Sequence, residues 1–306
     1  MRVFVTGATG HIGSLVVPEL LEAGHQVVGL ARSDKSAAAL SATGAEVHRG
    51  TLDDLDSLRE AATAADGVIH LAFIHDFGDY IGAGAADLRA VETIGAALDG
   101  SGKPFVNTSG TLTLAFALTP GRLGTEEDAV ETRSTPNPRV ASENTAVALA
   151  QRGVRSSIVR LAPTVHGPAD LHGFVPSLIN IARQKGVSGY VGDGSNRWPA
   201  VHELDAAHLY RLALEKAPAG SRLHGVGDEG VPFRHIAEVI GRHLNLPVVS
   251  IPREEADAHF GFLGAFVALD NPTSSALTQE RLGWRPLHPG LLADLDEGHY
   301  FATQPA

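Results

Sequence analysis

Three glycines near the amino terminus have the spacing of a phosphate cradle: Gly7, Gly10 and Gly13 in Gly7-Ala8-Thr9-Gly10-His11-Ile12-Gly13. A β-branched run, residues 3–6, leads into them, and a helical spacing of Ile12, Leu15, Val16, Leu20 and Leu21 follows. That order suits a dinucleotide. Glycines allow the tight turn and the approach of backbone amides to a pyrophosphate, which sits at the positive end of the next helix. Thr9, His11 and Ile12 complete the expected cofactor loop. Cofactor choice is set at the end of the second strand, where an acid would hold an NAD ribose and positive charge would hold a 2′-phosphate. Here the acidic position reads Ala31 and is followed by Arg32 and Ser33, a fork of donors and a hydroxyl suited to phosphate. The expected cofactor is NADP(H). A second group of chemical interest is the loop of residues 73–80, where His75 and Tyr80 either titrate or donate near useful pH. A third is the turn after the fifth strand, which puts the hydroxyls of Ser109 and Thr111 at the carboxyl end of a strand, where open α/β sheets bind ligands. The chain has no cysteine, so thiol chemistry, disulfides and zinc–thiolate sites are excluded. His202-Glu203 lacks the second histidine of a zinc-protease helix, because Ala206 stands there, and no metal site is expected.

The elements that must position these groups alternate. Strands are expected at 3–6, 26–30, 46–49, 67–72, 104–108 and 157–161, with helices at 12–23, 55–65, 85–98 and 139–152. Gly24 should close the first helix, and Pro18 should cost it a hydrogen bond. Such alternation predicts an α/β fold, a Rossmann-type doubly wound parallel sheet. After Pro163 the rhythm loosens around a helix near 175–184. We therefore expect a cofactor-binding domain over 1–162 and a smaller, interleaved substrate-binding region over 163–306. With 306 residues the chain needs no metal or disulfide to build a core. A net charge of −11 argues against a nucleic-acid or anionic-membrane partner. No apolar run approaches the ~20 residues of a membrane span. The first apolar stretch runs into glycines without the layout of a signal peptide, so the expected location is cytoplasmic.

The GxxGxxG spacing resembles the extended short-chain dehydrogenase/reductase family of epimerases and dehydratases. Further segments resemble that family: Thr51-Leu52-Asp53-Asp54, His70-Leu71-Ala72, the stretch from Arg160 to Gly167, Gly192 to Arg197, and Leu282 to Pro286. The resemblance implies that Leu52 and Asp53 receive the adenine. It places Leu71, Ala72 and Phe73, with Pro163, Thr164 and Val165, along the nicotinamide. It also places His166, Arg197, Trp198 and His202 at the substrate. Active members carry Tyr and Lys four residues apart on one helix, and here Arg139 and Glu143 hold those positions. The usual proton relay is absent, as in the atypical short-chain dehydrogenases. Two readings of the pair stand side by side: an i, i+4 ion pair that stabilises the helix, or Arg139 as a fixed cation beside the substrate oxygen. The resemblance also puts the family's catalytic hydroxyl at Ser109 or, as second choice, Thr111, and its helix-borne Asn at Asp87. His75 or Tyr80 would then supply the missing proton. The expected activity is NADPH-dependent reduction of a small carbonyl or related electrophile. Its rivals are a nucleotide-sugar-type epimerase or dehydratase and a non-catalytic NADP(H) sensor. The resemblance also implies a homodimer through the helices at 85–98 and 139–152, the second of them rich in alanine.

Overall fold

A computed structural model describes residues 1–75, 78–132 and 137–302. Its first half runs β1 (Arg2–Thr6), α1 (Gly13–Glu22), β2 (Gln26–Ala31), α2 (Asp34–Thr43), β3 (Glu46–Arg49), α3 (Leu55–Ala64), β4 (Gly67–His70), α4 (Tyr80–Ala97), β5 (Pro104–Gly110), α5 (Leu112–Ala115), α6 (Arg139–Ala148) and β6 (Arg155–Leu161). The second half adds β7 (Thr164–His166), α7 (Phe174–Lys185), β8 (Ser188–Val191), β9 (Arg197–His202), α8 (Glu203–Lys216), β10 (Ser221–Gly225), β11 (Asp228–Pro232), α9 (Phe233–Leu244) and β12 (Val248–Ile251). Three short helices close the chain: α10 (Ala256–Phe260), α11 (Ala276–Leu282) and α12 (Leu291–Asp296).

Seven strands form one parallel sheet in the order β3-β2-β1-β4-β5-β6-β10. Both faces are covered, which is why β1 is apolar without alternation and Val3, Phe4 and Val5 are all fully buried. Side chains of α1 and α8 fill one face, while α3, α4 and α6 fill the other. Strand order reverses between β1 and β4, and that switch point is where open α/β sheets bind ligands. A second core, built on α7, α9 and Trp198, belongs to a smaller lobe with its own three-stranded and two-stranded sheets. β10 and α8 come from the carboxyl-terminal half of the chain yet complete the main sheet and its cover.

Helix α2 was not expected from the sequence. Leu40 is its single fully buried side chain, so it shows almost no apolar stripe. It is started instead by a cap: the Ser33 hydroxyl accepts from the Ser36 amide, and the Ser36 hydroxyl returns a bond to the Ser33 backbone. α1 ends at Gly24 as expected and continues through Pro18. α4 begins at Tyr80, five residues before its expected start, because the Asp79 carboxylate caps the Gly82 amide. Gly84 of α4 packs against Pro138, where a Cβ would come within 2.3 Å of the proline ring carbons. That close approach sets the first turn of α6, and hence Arg139, against the carboxyl ends of β4 and β5. No helix among the described residues is long and apolar enough to cross a membrane.

Candidate active site

The glycine loop fits a pyrophosphate. Gly7 has φ +67°, and a Cβ there would lie 2.7 Å from the Ala72 nitrogen; a Cβ on Gly13 would lie 2.1 Å from the Gly7 carbonyl oxygen. A side chain at either position would wreck the turn. At Gly10 a Cβ would meet only the Gly7 carbonyl oxygen, at 3.2 Å, so the loop's other side is open to a ligand. α1 has no side-chain cap and no acid in its first turn, which leaves its amides and dipole for an anion. His11 donates the loop a second anchor: its Nε2 lies 2.8 Å from Glu203 Oε2, and Glu203 also accepts from the Ala169 amide. The phosphate loop is thus tied to α8 and to the segment after β7.

Around the rest of the expected cofactor track, Arg32 is exposed at the end of β2 and makes no ion pair or hydrogen bond among the described residues. Ser33 holds the α2 cap. Asp54 caps α3 through the Ser57 amide, Asp53 lies 3.4 Å from Arg89, and Leu52 packs on the core beneath α3. At the end of β4, Thr6 Oγ1 accepts from the Ala72 amide (3.2 Å) and pairs with His70 Nδ1 (2.7 Å); His70 Nε2 reaches Asp87 Oδ1 at 3.2 Å. The ionised Asp87 carboxylate can only accept, so the neutral imidazole turns its Nε2–H to it, and Nδ1 accepts from the Thr6 hydroxyl. This buried chain fixes Leu71, Ala72 and Phe73 at the switch point. Burial pushes the Asp87 carboxyl up, but the hydrogen bond and charge of His70 with the charge of Arg139 bring it below the ordinary range. Val165 packs on the core of the main sheet, Pro163 is half-buried beside it, and the Thr164 hydroxyl donates to the Pro199 carbonyl.

The structure gathers four of the expected residues into one cluster. The Arg139 guanidinium carbon lies 4.0 Å from the centre of the Phe73 ring, a cation–π contact. His75 and Tyr80 meet the same ring edge-on at 5.3 and 5.7 Å. Arg139 Nη2 donates to the Thr108 carbonyl at 3.3 Å, and its Nε is buried with no partner among the described residues. Partial burial and the Arg139 charge hold the His75 imidazole below its ordinary range. Burial raises the Tyr80 phenol, only partly offset by Arg139, so it keeps its proton at neutral pH. Asp76 and Phe77 of this loop lie outside the described residues.

Glu143 is elsewhere, and the expected i, i+4 ion pair with Arg139 does not form. Glu143 is buried and accepts from Arg160 Nε at 3.1 Å and from Arg222 Nε at 3.1 Å. Two strand-borne guanidiniums, from β6 and β10, outcompete a helical neighbour because in a dry site the carboxylate takes the pairing that satisfies most of its lone pairs. Burial raises its carboxyl, and Arg160 then pulls it below the usual range. Ser109 lies buried next to this carboxylate rather than in the Arg139 cluster, and Thr111 is fully buried, accepting from Asn271 Nδ2 at 3.0 Å.

The residues expected at the substrate divide. Trp198 is fully buried in the core of the second lobe, edge-on to Phe233 at 4.9 Å, and the expectation of a pocket role is corrected. Along β9 it faces inward, while Arg197 faces out and forks onto Asp270 (Nε–Oδ1 3.0 Å, Nη2–Oδ2 2.8 Å). His166 is buried with Nδ1 2.8 Å from Asp294, and His202 caps its own helix through the Leu204 amide and stacks on His288. Sequence reading missed Glu203 as the partner of His11, since the two are 192 residues apart.

A glycine cradle ahead of an uncapped helix, at the switch point of a parallel sheet, defines a dinucleotide-binding α/β protein. The chain belongs to the NAD dependent epimerase/dehydratase family, whose profile matches residues 3–224. It is 53% identical to an uncharacterised protein of Schizosaccharomyces pombe, over 98% of this chain and 100% of that one. It is 27% identical to a 2-alkyl-3-oxoalkanoate reductase of Stenotrophomonas maltophilia, over 100% of this chain and 92% of the other. The fold is similar to that of a dTDP-glucose 4,6-dehydratase of Streptomyces venezuelae with NAD bound, with a TM-score of 0.76, 21% identity, and 99% and 98% of the two chains covered. A nicotinamide cofactor follows from the family.

Proposed function

We propose that the chain is an NADPH-dependent reductase of a small carbonyl or related electrophile, in which Arg139 takes over the charge-stabilising part of the missing tyrosine. The observation that carries this reading is the state of Arg139. It is half-buried, has no carboxylate partner among the described residues, and is held rigid by the Phe73 ring and the Thr108 carbonyl. A fixed cation with an unused buried N–H is what a developing oxyanion requires. The guanidinium does not itself give up a proton, because its pKa lies above ~12. Tyr80, still protonated and on the same ring, is the donor; His75 shapes the site as a neutral imidazole. The glycine loop and Arg32 would hold NADPH, which would supply the hydride. As the carbonyl oxygen takes the π pair, Arg139 holds it and Tyr80 protonates it.

The pH profile separates the two donors. A histidine acid with a lowered pKa would give activity that falls as pH rises through a value below 6.5. A tyrosine acid with a raised pKa gives a plateau across neutral pH and a decline only above 10. We expect the plateau, and Tyr80→Phe should lower kcat about 10²-fold without moving the cofactor affinity. A decline centred below pH 6.5 that is abolished in His75→Ala would transfer the role to His75.

The 2′-phosphate of NADP(H) is assigned to Arg32. Arg32→Ala should weaken NADPH about ten- to hundred-fold, as expected for losing a charge-assisted contact, and leave NADH affinity unchanged. Equal loss for both cofactors in a fluorescence titration would remove Arg32 from the phosphate site.

A further inference from the structure

Resting on the reductase reading above, we propose that the substrate is an apolar carbonyl compound, an alkyl or aryl ketone or aldehyde, rather than a nucleotide sugar or a 2-oxo acid. Two independent features point there. The first is charge. A nucleotide sugar brings two phosphate charges to the substrate side of the cleft, and these need cations. Arg197 is forked onto Asp270, and its Nη2 also reaches the Gly121 carbonyl. The neighbouring Arg122 is paired with Asp128 at 2.5 Å. Arg32 lies at the adenine end, beyond the glycine loop. Of Arg197, Arg122 and Arg139 on the substrate side, Arg139 is the one without a carboxylate partner among the described residues. In the reductase reading it is taken by the carbonyl oxygen, which leaves no further cation here for a diphosphate or a second, carboxylate group.

The second feature is the apolar rim. Single exposed hydrophobics are ordinary on a protein surface, but a concentration of them around a cleft is not. Ile74 (39% exposed) and Ile81 (77%) flank His75 and Tyr80 after β4. Phe116 (38%) follows α5, directly after the strand whose Thr108 carbonyl holds Arg139, and Leu171 (54%) follows β7 beside Asp170. Asp170 lies 4.0 Å from His11 of the glycine loop, so that segment borders the cofactor as well. Ile74 and Phe116 lie on the connections leaving the carboxyl ends of β4 and β5, the edge that carries the ligand, with Ile81 in the first turn of α4; Leu171 follows β7 of the small sheet and is brought to the glycine loop by its neighbour Asp170. Their apolar surface is removed from water when an apolar substrate body lies against it, with its carbonyl oxygen on Arg139.

The test is a homologous series, 2-butanone to 2-octanone, assayed for NADPH oxidation, with pyruvate and a 4-keto-6-deoxy nucleotide sugar alongside. The corresponding secondary alcohols are titrated calorimetrically into the protein with and without NADP⁺. We expect kcat/KM and alcohol affinity to rise about two- to four-fold per methylene, and Phe116→Ser to flatten both slopes. Turnover without a chain-length slope, or faster turnover of pyruvate or the 4-keto nucleotide sugar, overturns the apolar assignment and leaves the reductase reading in place. A rising alcohol affinity without turnover of any ketone upholds the apolar cleft and overturns the reductase reading.

Discussion

Arg139→Met should lower kcat for carbonyl reduction about 10²- to 10³-fold while the NADPH dissociation constant stays within about two-fold. The magnitude is that of removing one preorganised donor from an oxyanion site, roughly 3–4 kcal/mol. Methionine keeps the apolar stem against Phe73 and deletes only the charge and the N–H groups, so the fold should survive. Arg139→Lys should recover part of the rate at most. A lysine ammonium is a point charge without the planar fork that lies on the Phe73 ring and reaches the Thr108 carbonyl at once. If Arg139 instead served only to stabilise its helix, Arg139→Met would leave kcat near wild type and shift only the melting temperature.

Glu143→Lys should be the most destabilising of the site substitutions, although it restores the residue that active short-chain dehydrogenases carry. The carboxylate accepts from two arginines inside the protein, and it is buried with Arg160. A lysine there removes the counter-charge and adds a third cation. Breaking a buried pair alone costs about 3–5 kcal/mol, and the melting temperature should fall by the order of 10 °C or the protein should fail to fold. Introducing Arg139→Tyr in the same chain does not help, because the cost lies at Arg160 and Arg222. Glu143→Met combined with Arg160→Met should recover a substantial part of the loss, since well-packed apolar side chains often replace a buried pair without penalty. A Glu143→Lys protein as stable as wild type would mean that the Glu143 carboxylate is not the partner of these arginines in solution.

These two residues also mark how far the sequence can be read. The glycine loop was legible because binding a pyrophosphate is a local demand: the turn, the amides and the helix end lie within seven residues. The parallel sheet was legible because its central strands had to be apolar on both faces, as Val3, Phe4 and Val5 show; β10, Ser221–Gly225, carries Arg222 and His224 and was not expected. Arg139 and Glu143 were located by alignment, yet their partners were not, since Glu143 bonds Arg160 and Arg222 from 17 and 79 residues away. Helical spacing says which side chains can meet; it does not say which of them has a better offer from another strand. The same limit hid His11–Glu203 and His166–Asp294. α2 was missed for the opposite reason, as it is held by a cap rather than an apolar stripe. Trp198 was placed at the substrate by the resemblance of its segment to the family's pocket lining, but alternation along β9 sends it and Arg197 to opposite faces.

The reductase reading is tested most directly by mixing the purified chain with NADPH and a panel of aldehydes and ketones while following cofactor fluorescence and absorbance together. We expect saturable NADPH binding, weaker NADH binding, and carbonyl-dependent loss of absorbance that disappears in Arg139→Met. NADPH that binds tightly while its absorbance stays flat with every carbonyl would contradict a catalytic role and leave a cofactor-sensing protein in its place.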